Sequence, residues 1–421
     1  MLVGVLVITT VLWILSKGSL QLFQEASPLL LVSQIAALLG AILFSATFLL
    51  SSRTKAIEQL FGSLESAYTS HKNAGRMAAV LLILHLLLLV GNALPNSELA
   101  QHFLFETENP PFIFGQLALY SLIATIIVTI YIRVQYRLWR IVHKLLGVSA
   151  VFALLHIATI YSDTSIFLPL KVWMLFWVAL GTGAWIYKAF FYAYSPRKRQ
   201  YKVKNVEQIG NVAVITMMPQ GNKLNYTEGQ YAFFRFHSVT LPTEPHPFTI
   251  ISSPANNELK IAVKSLGDFT SEMNAVQNGD SIDVWGPHGV FGKEYSNQTK
   301  EAVWIAGGIG VTPFISLLTK QNHPQKTTLH YCTRTSGEAV FHDQFIDAAK
   351  TREDFTYLQR CTNETGRLSA EDAVKGVSDI KNTQFYLCGP KGMIQAMQAS
   401  LMRLGAKKEN IIFEEFDFKS T

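Results

Sequence analysis

Residues 80–91 read VLLILHLLLLVG, a run of aliphatic residues and one glycine broken only by His85. An imidazole in hydrocarbon surroundings costs free energy unless something binds it. Such a residue marks a bond to a neighbouring helix, a proton path or a ligand site. The choice depends on what surrounds the run.

Outward from it, the 421-residue chain divides into two unlike halves. Up to about residue 190 long apolar runs dominate, and six approach membrane length: Leu2–Leu15, Pro28–Leu50, Met77–Leu94, Phe112–Ile132, Ile141–Tyr161 and Ile166–Tyr187. A spanning helix needs about 20 mostly apolar residues. The first run is the shortest; it has neither a basic leader nor a small-residue cleavage site, and is read as a helix. Basic residues gather in alternate connections: Arg53, Lys55, Lys72 and Arg76, then Arg133, Arg137, Arg140 and Lys144, then Arg197, Lys198 and Arg199. The other connections hold Glu25, Glu98, Glu106, Glu108 and Asp163 against Lys17 and Lys171. By the positive-inside rule the N-terminus, the basic connections and everything after residue 195 face the cytoplasm of a multi-pass protein of the plasma (inner) membrane. The net charge of +6 is then a topology signal, and no nucleic-acid partner is expected. Cys332, Cys361 and Cys388 all fall in the cytosolic half, without metal-ligand spacing, so no disulfide framework is expected outside.

Four histidines of the membrane half form a pattern. His71 and His85 are 14 residues apart, and His143 and His156 are 13 apart. At about 1.5 Å rise per residue each pair spans about 20 Å of helix. Both helices run outward, so His71 and His143 share the inner depth and His85 and His156 the outer. Two helices with histidines at two matched depths could clamp two planar cofactors, and haem iron takes axial histidines. The competing readings are buried polar groups bonded to neighbouring helices and proton-pathway residues. One detail resists. Fourteen residues at about 100° each return to one face, but thirteen end about 140° away. The second pair therefore requires a helix that is overwound or tilted, and Gly147 and Ser149 lie where it could yield.

From 201 to about 295 the pattern changes to short strands, VAVITMM, QYAFFRF, PFTIISS, LKIAVKS and SIDVWGP, separated by turn residues. These predict a small antiparallel barrel. After residue 300 strand and helix patterns alternate, predicting a parallel sheet with covering helices. WIAGGIGVTPF (304–314) fits a strand, a glycine turn and a helix start, where backbone amides receive a pyrophosphate. Arg334 follows the next strand in CTRT, where an arginine suits a 2′-phosphate and an acid would suit a ribose hydroxyl.

HPFTIISSP (246–254), AGGIGVTP (306–313), YLCGPKGM (386–393) and the terminal FEEFDF (413–418) resemble the ferredoxin-NADP-reductase type of FAD and NADP module. With HPFT behind six apolar runs and two histidine pairs, the whole chain resembles the NADPH oxidase and ferric reductase superfamily, most of all its prokaryotic NADPH-oxidase-type members. The resemblance implies a six-span haem domain (1–194), a FAD-binding β-barrel (195–298) and an NADPH-binding α/β domain (299–421). It implies FAD, two b-type haems held by His71/His143 and His85/His156, and NADPH as donor, with NADH possible as a second donor. His246, Pro247, Phe248 and Thr249 would contact FAD, with Lys264, Gly267 and Thr270 along its phosphates. Gly308, Gly310, Thr312 and Pro313 would hold the nucleotide pyrophosphate. Arg334 and Arg367 would meet the 2′-phosphate, and Cys388, Gly389 and Pro390 would line the nicotinamide site. Phe418, with Phe416 in reserve, would stack on the flavin.

The activity so implied is a superoxide-forming NAD(P)H oxidase carrying electrons outward to molecular oxygen. A ferric chelate is the alternative acceptor, and nothing in the chain points to an obligatory protein partner. In the animal oxidases a polar residue stands one turn beyond the outer haem ligand. Here Leu89 stands there, and Gln34 and Asn92 are the remaining polar candidates. A rival from another class, a histidine-based proton conductor with a redox-sensing cytosolic half, would want acids beside the histidines. The cores of the five later runs contain none.

Overall fold

The structure, a computed structural model, describes residues 2–18, 26–94, 96–132, 134–192, 198–238, 241–242, 244–296, 300–320 and 325–415, without the side chains of residues 136, 137, 268 and 415. The chain forms two compact units, Met1–Tyr194 and Ser195–Ser420.

The first unit is helical. Its main elements are α1 (Leu2–Ser16), α2 (Pro28–Leu50), α3 (Leu64–Ala93), α4 (Pro110–Tyr131), α5 (Tyr136–Lys144), α6 (Leu146–Thr159) and α7 (Leu168–Ile186). Prolines open α2, α4 and α7 at their first turns, where the missing N–H costs nothing. Five stretches are long and apolar enough to cross a membrane: α2, α3, α4, the α5–α6 segment from Leu138 to Thr159, and α7 continued to Phe191. Six spans were expected. The sixth, α1, has 15 residues, about 22 Å of helix, and falls short of the hydrocarbon thickness. It ends where Gly18, at φ 69°, turns the chain away. Val80, Leu87, Ile127, Ile130, Val172 and Phe176 are all exposed on the bundle, as lipid-facing residues must be. Small residues bring the helices close. A Cβ on Gly40 of α2 would press on Leu82 of α3 at 2.9 Å, and one on Gly181 of α7 would meet the Ser45 backbone oxygen at 2.7 Å.

The second unit holds two sheets. Strands β1 (Lys198–Ile209), β2 (Val212–Pro219), β3 (Tyr231–His237), β4 (His246–Thr249), β5 (Leu259–Lys264) and β6 (Ser281–His288) form an antiparallel sheet in the order β4-β3-β6-β1-β2-β5. A bridge from Ile250 to Ile261 joins its two ends, giving the expected barrel around Phe234, Phe236, Ile215, Ile261 and Val284. The five-strand reading missed β1. Its first residues, taken as the membrane exit, already pair with β6, Lys198 opposite Trp285.

Strands β7 (Ala302–Gly307), β8 (Thr327–Thr333), β9 (Phe355–Cys361), β10 (Gln384–Gly389) and β11 (Ile411–Glu415) form the parallel sheet, in the order β11-β10-β7-β8-β9. Helices α8 (Thr312–Leu318), α9 (His342–Thr351) and α10 (Lys391–Arg403) belong to it. One core cluster joins the two sheets: Val212, Val214, Ile251 and Ala262 of the barrel pack with Trp304, Phe314 and Tyr386.

Candidate functional site

The four membrane histidines are each half-buried, and three are fixed in the same way. His71 Nδ1 lies 2.9 Å from the Thr47 carbonyl, His85 Nδ1 lies 3.0 Å from the Ser33 carbonyl, and His156 Nδ1 lies 2.7 Å from the Pro111 carbonyl. A carbonyl only accepts, so in each ring Nδ1 carries the proton, and in the neutral ring Nε2 is left with the lone pair. This is the state of a metal-ligating histidine oriented by a backbone carbonyl. Ser33 Oγ adds a second contact to His85 Nδ1 at 2.9 Å and donates to the His85 carbonyl at 2.9 Å. The partners on α2, Ser33 and Thr47, are themselves 14 residues apart, matching His85 and His71 on the antiparallel α3.

His143 is held differently. Its ring stacks on Trp139, one turn earlier, with centroids 4.8 Å apart and planes 9° apart. Its Nδ1 is buried without a hydrogen-bond partner among the described residues. The His71 and His143 ring centroids are 6.1 Å apart. Among the described residues no group of three or more His, Cys, Asp or Glu side chains gathers as a metal site. The donor chemistry, imidazoles among apolar helices, fits haem iron. His156 lies against α4, where a Cβ on Gly115 would stand 2.8 Å from its Nδ1.

In the barrel, HPFT forms β4, with His246 opposite Phe234 and Thr249 opposite Tyr231. The His246 ring stacks on Phe269 at 3.7 Å, and Phe269 also faces Phe248 at 6.5 Å. Thr249 is buried, and its Oγ1 has no hydrogen-bond partner among the described residues. An orphaned buried hydroxyl costs free energy unless a ligand completes it, and a flavin edge would do so here. Thr270 Oγ1 accepts from the backbone N–H groups of Leu266 (2.9 Å) and Gly267 (3.0 Å), so its hydroxyl shapes its own loop. Lys264 pairs with Glu338 at 3.3 Å.

In the α/β domain, the glycines of the 307–310 turn serve different ends. Gly308 has φ 56° and open space where a Cβ would be, so its backbone is bare to an approaching phosphate. Gly310 is wedged against the end of β10; a Cβ there would stand 2.6 Å from the Cys388 carbonyl carbon and 2.8 Å from Gly389 Cα. The turn and the Cys388-Gly389-Pro390 corner thus meet backbone to backbone. A Cβ on Gly307 would meet Pro390 Cδ at 2.9 Å. Thr312 and Pro313 begin α8, and Thr312 Oγ1 donates to the Ile309 carbonyl at 3.0 Å. Arg334 and Arg367 are exposed; Arg334 directly follows β8, and Arg367 follows the helical turn Thr362–Thr365 after the adjacent β9. The Asn363 N–H donates to the Arg334 carbonyl at 3.2 Å, tying the two loops together. Cys332, at the end of β8, is buried, and burial pushes its thiol up to about 11. Phe416 and Phe418 lie outside the described residues.

Sequence reading did not find Ser33, Thr47, Pro111, Gly115, Trp139 or Phe269. The 14-residue match of Ser33 and Thr47, and the i, i+4 spacing of Trp139 and His143, were available signals. A backbone carbonyl such as that of Pro111 has none.

Three family models match the chain: the ferric reductase like transmembrane component over residues 36–154, the FAD-binding domain over 197–312 and the oxidoreductase NAD-binding domain over 304–399. The reductase component of propane 2-monooxygenase from Mycolicibacterium goodii is 26% identical over 215 residues, covering 46% of this chain and 60% of that protein. The flavohemoprotein of Bacillus subtilis is 28% identical over 209 residues, 45% of this chain and 51% of its own. The chain thus spans little more than half the length of these relatives. A crystal structure of flavohemoglobin from Malassezia yamatoensis with bound FAD and heme aligns with TM-score 0.52 and 18% identity over 92% of this chain and 96% of its own, a likeness of fold.

Proposed function

Because this chain has the architecture of the NADPH oxidase and ferric reductase superfamily, a ferric-reductase-like membrane domain joined to FAD-binding and NAD-binding domains, we propose that it carries electrons from cytosolic NADPH across the membrane to molecular oxygen, forming superoxide. The observation that carries this reading is the shared tautomer of His71, His85 and His156, each Nδ1 tied to a backbone carbonyl with Nε2 left to ligate. When bound, FAD converts a two-electron hydride donor into single electrons, and two b-type haems accept them one at a time.

The chain's own residues supply binding, orientation and exclusion. Gly308 and Gly310, with Thr312 and Pro313, receive the pyrophosphate, and Arg334 with Arg367 meets the 2′-phosphate, selecting NADPH over NADH. Cys388, Gly389 and Pro390 shape the nicotinamide site. His246 to Thr249 would hold the flavin, with Phe269 setting the His246 ring, and Lys264, Gly267 and Thr270 would border its phosphates. His71 with His143 would hold the inner haem, and His85 with His156 the outer. Helices α2 to α7 keep water from the path between them. Both nucleotide-binding domains are cytosolic, and the acceptor is outside.

A ferric chelate is the second reading, favoured by Leu89 one turn beyond His85, where an oxygen site would want a polar group. Cytochrome c reduction by NADPH with and without superoxide dismutase decides. Strong suppression by the dismutase is expected. Brisk ferric reduction with no dismutase sensitivity overturns the oxidase assignment and leaves the electron path intact.

A further inference from the structure

The helix that carries His143 and His156 is interrupted between them. The Leu145 N–H bonds to the Val142 carbonyl at 2.9 Å, and the Val148 N–H bonds to the Leu145 carbonyl at 2.9 Å. Both are three-residue bonds of a tighter turn, which advances about 20° more per residue than the α-helix. Three such residues supply roughly 60° of the 140° by which a 13-residue spacing misses, in the direction that closes the gap. In a continuous helix the Val148 N–H would bond to Lys144; here the Trp185 indole of α7 takes that place, its Nε1–H donating to the Lys144 carbonyl at 2.9 Å. The indole reaches it over Gly147, which is buried; any Cβ at Gly147 would stand inside the Trp185 ring. The break, the glycine and the indole, on two helices, form one device.

We propose that Trp185 is a positioning residue: by holding the Lys144 carbonyl it keeps the turn at Leu145 tight, and so sets the direction of His143 relative to His156. The inference rests on the reading that these histidines are haem ligands. Its action is through the backbone, so it predicts a change in ligand orientation and not merely a loss of packing.

The test compares full-length wild type with Trp185→Phe, which keeps a ring and removes the donor, and Gly147→Ala, which displaces the indole. Trp173→Phe is the control: it removes a similar bond from the same helix, the indole N–H to Thr9 Oγ1 at 2.9 Å. Haem per chain, the low-spin ferric paramagnetic resonance spectrum and the midpoint potentials are measured on each. Trp185→Phe and Gly147→Ala should shift the low-spin signals and at least one potential, or convert some of one haem to high spin, while Trp173→Phe matches wild type. Haem-loaded Trp185→Phe with wild-type spectrum and potentials, and only a lower melting temperature, overturns the proposal, as do equal shifts in Trp173→Phe. Wild type that binds no haem refutes the functional reading first and this proposal with it.

Discussion

Gly310→Ala is a perturbation whose size can be worked from the structure. The new methyl would lie 2.6 Å from the Cys388 carbonyl carbon and 2.8 Å from Gly389 Cα, against an optimum carbon–carbon separation of about 3.5–4.0 Å. Both neighbours are backbone of β10, held in register with β7 and β11 on either side, so neither can rotate away. The turn must move outward by on the order of 1 Å. Overpacking of this kind costs roughly 1–3 kcal/mol. The turn is free on its ligand side, as the open space over Gly308 shows, so the displacement falls on the surface that receives the nucleotide. At about 1.4 kcal/mol per tenfold, NADPH binding should weaken roughly 5- to 150-fold. Titration calorimetry of the FAD-loaded protein measures this. Gly392→Ala, in α10 with nothing within 4 Å of the new methyl, is the control and should bind as wild type. Wild-type affinity in Gly310→Ala would refute the assignment of this turn to the nucleotide.

Two further outcomes test other regions of the structure. Thr249→Val removes a buried hydroxyl that lacks a partner among the described residues. It should leave FAD-free protein as stable or more so, by up to about 1 kcal/mol, and weaken FAD binding about tenfold; equal FAD affinity refutes the flavin contact. His330 is buried on β8, and burial, opposed by a bond to the Ala373 backbone, holds its pKa below the ordinary 6.5. The unfolded chain therefore takes up the proton first, so stability is full above about pH 7 and falls as pH drops through 6.5 toward the lower native value. His330→Gln should flatten that fall in denaturant unfolding, and parallel pH curves for variant and wild type contradict it.

The division into an apolar helical half and a strand-rich half was legible because lipid and water impose opposite patterns on a chain. The glycine turn and HPFT were legible because tight turns and close backbone approach restrict residue type. Where reading failed, the signal was diluted. β1 presents only Tyr201 and Val203 as fully buried side chains among lysines and glutamines, too few to stand out as a strand. The long α3 begins at Leu64 behind a Ser63 cap, whereas its apolar run begins at Met77, because its first turns are polar. Under the haem reading the 13-residue spacing asks for a distortion, and Gly147 was named as a place for it. The indole that donates to the Lys144 carbonyl at the break sits 41 residues away on another helix, and no local pattern announces such a partner.

The central claim, that paired histidines in the bundle hold two haems, is tested most directly by quantifying b-type haem and FAD in purified full-length protein, alongside His85→Ala and His143→Ala. The account predicts two haems per FAD in wild type, with reduced-minus-oxidised b-type bands. It predicts that each substitution removes or alters one haem while FAD stays bound. Wild-type protein carrying FAD but no b-type haem, prepared with haem in supply, would contradict it.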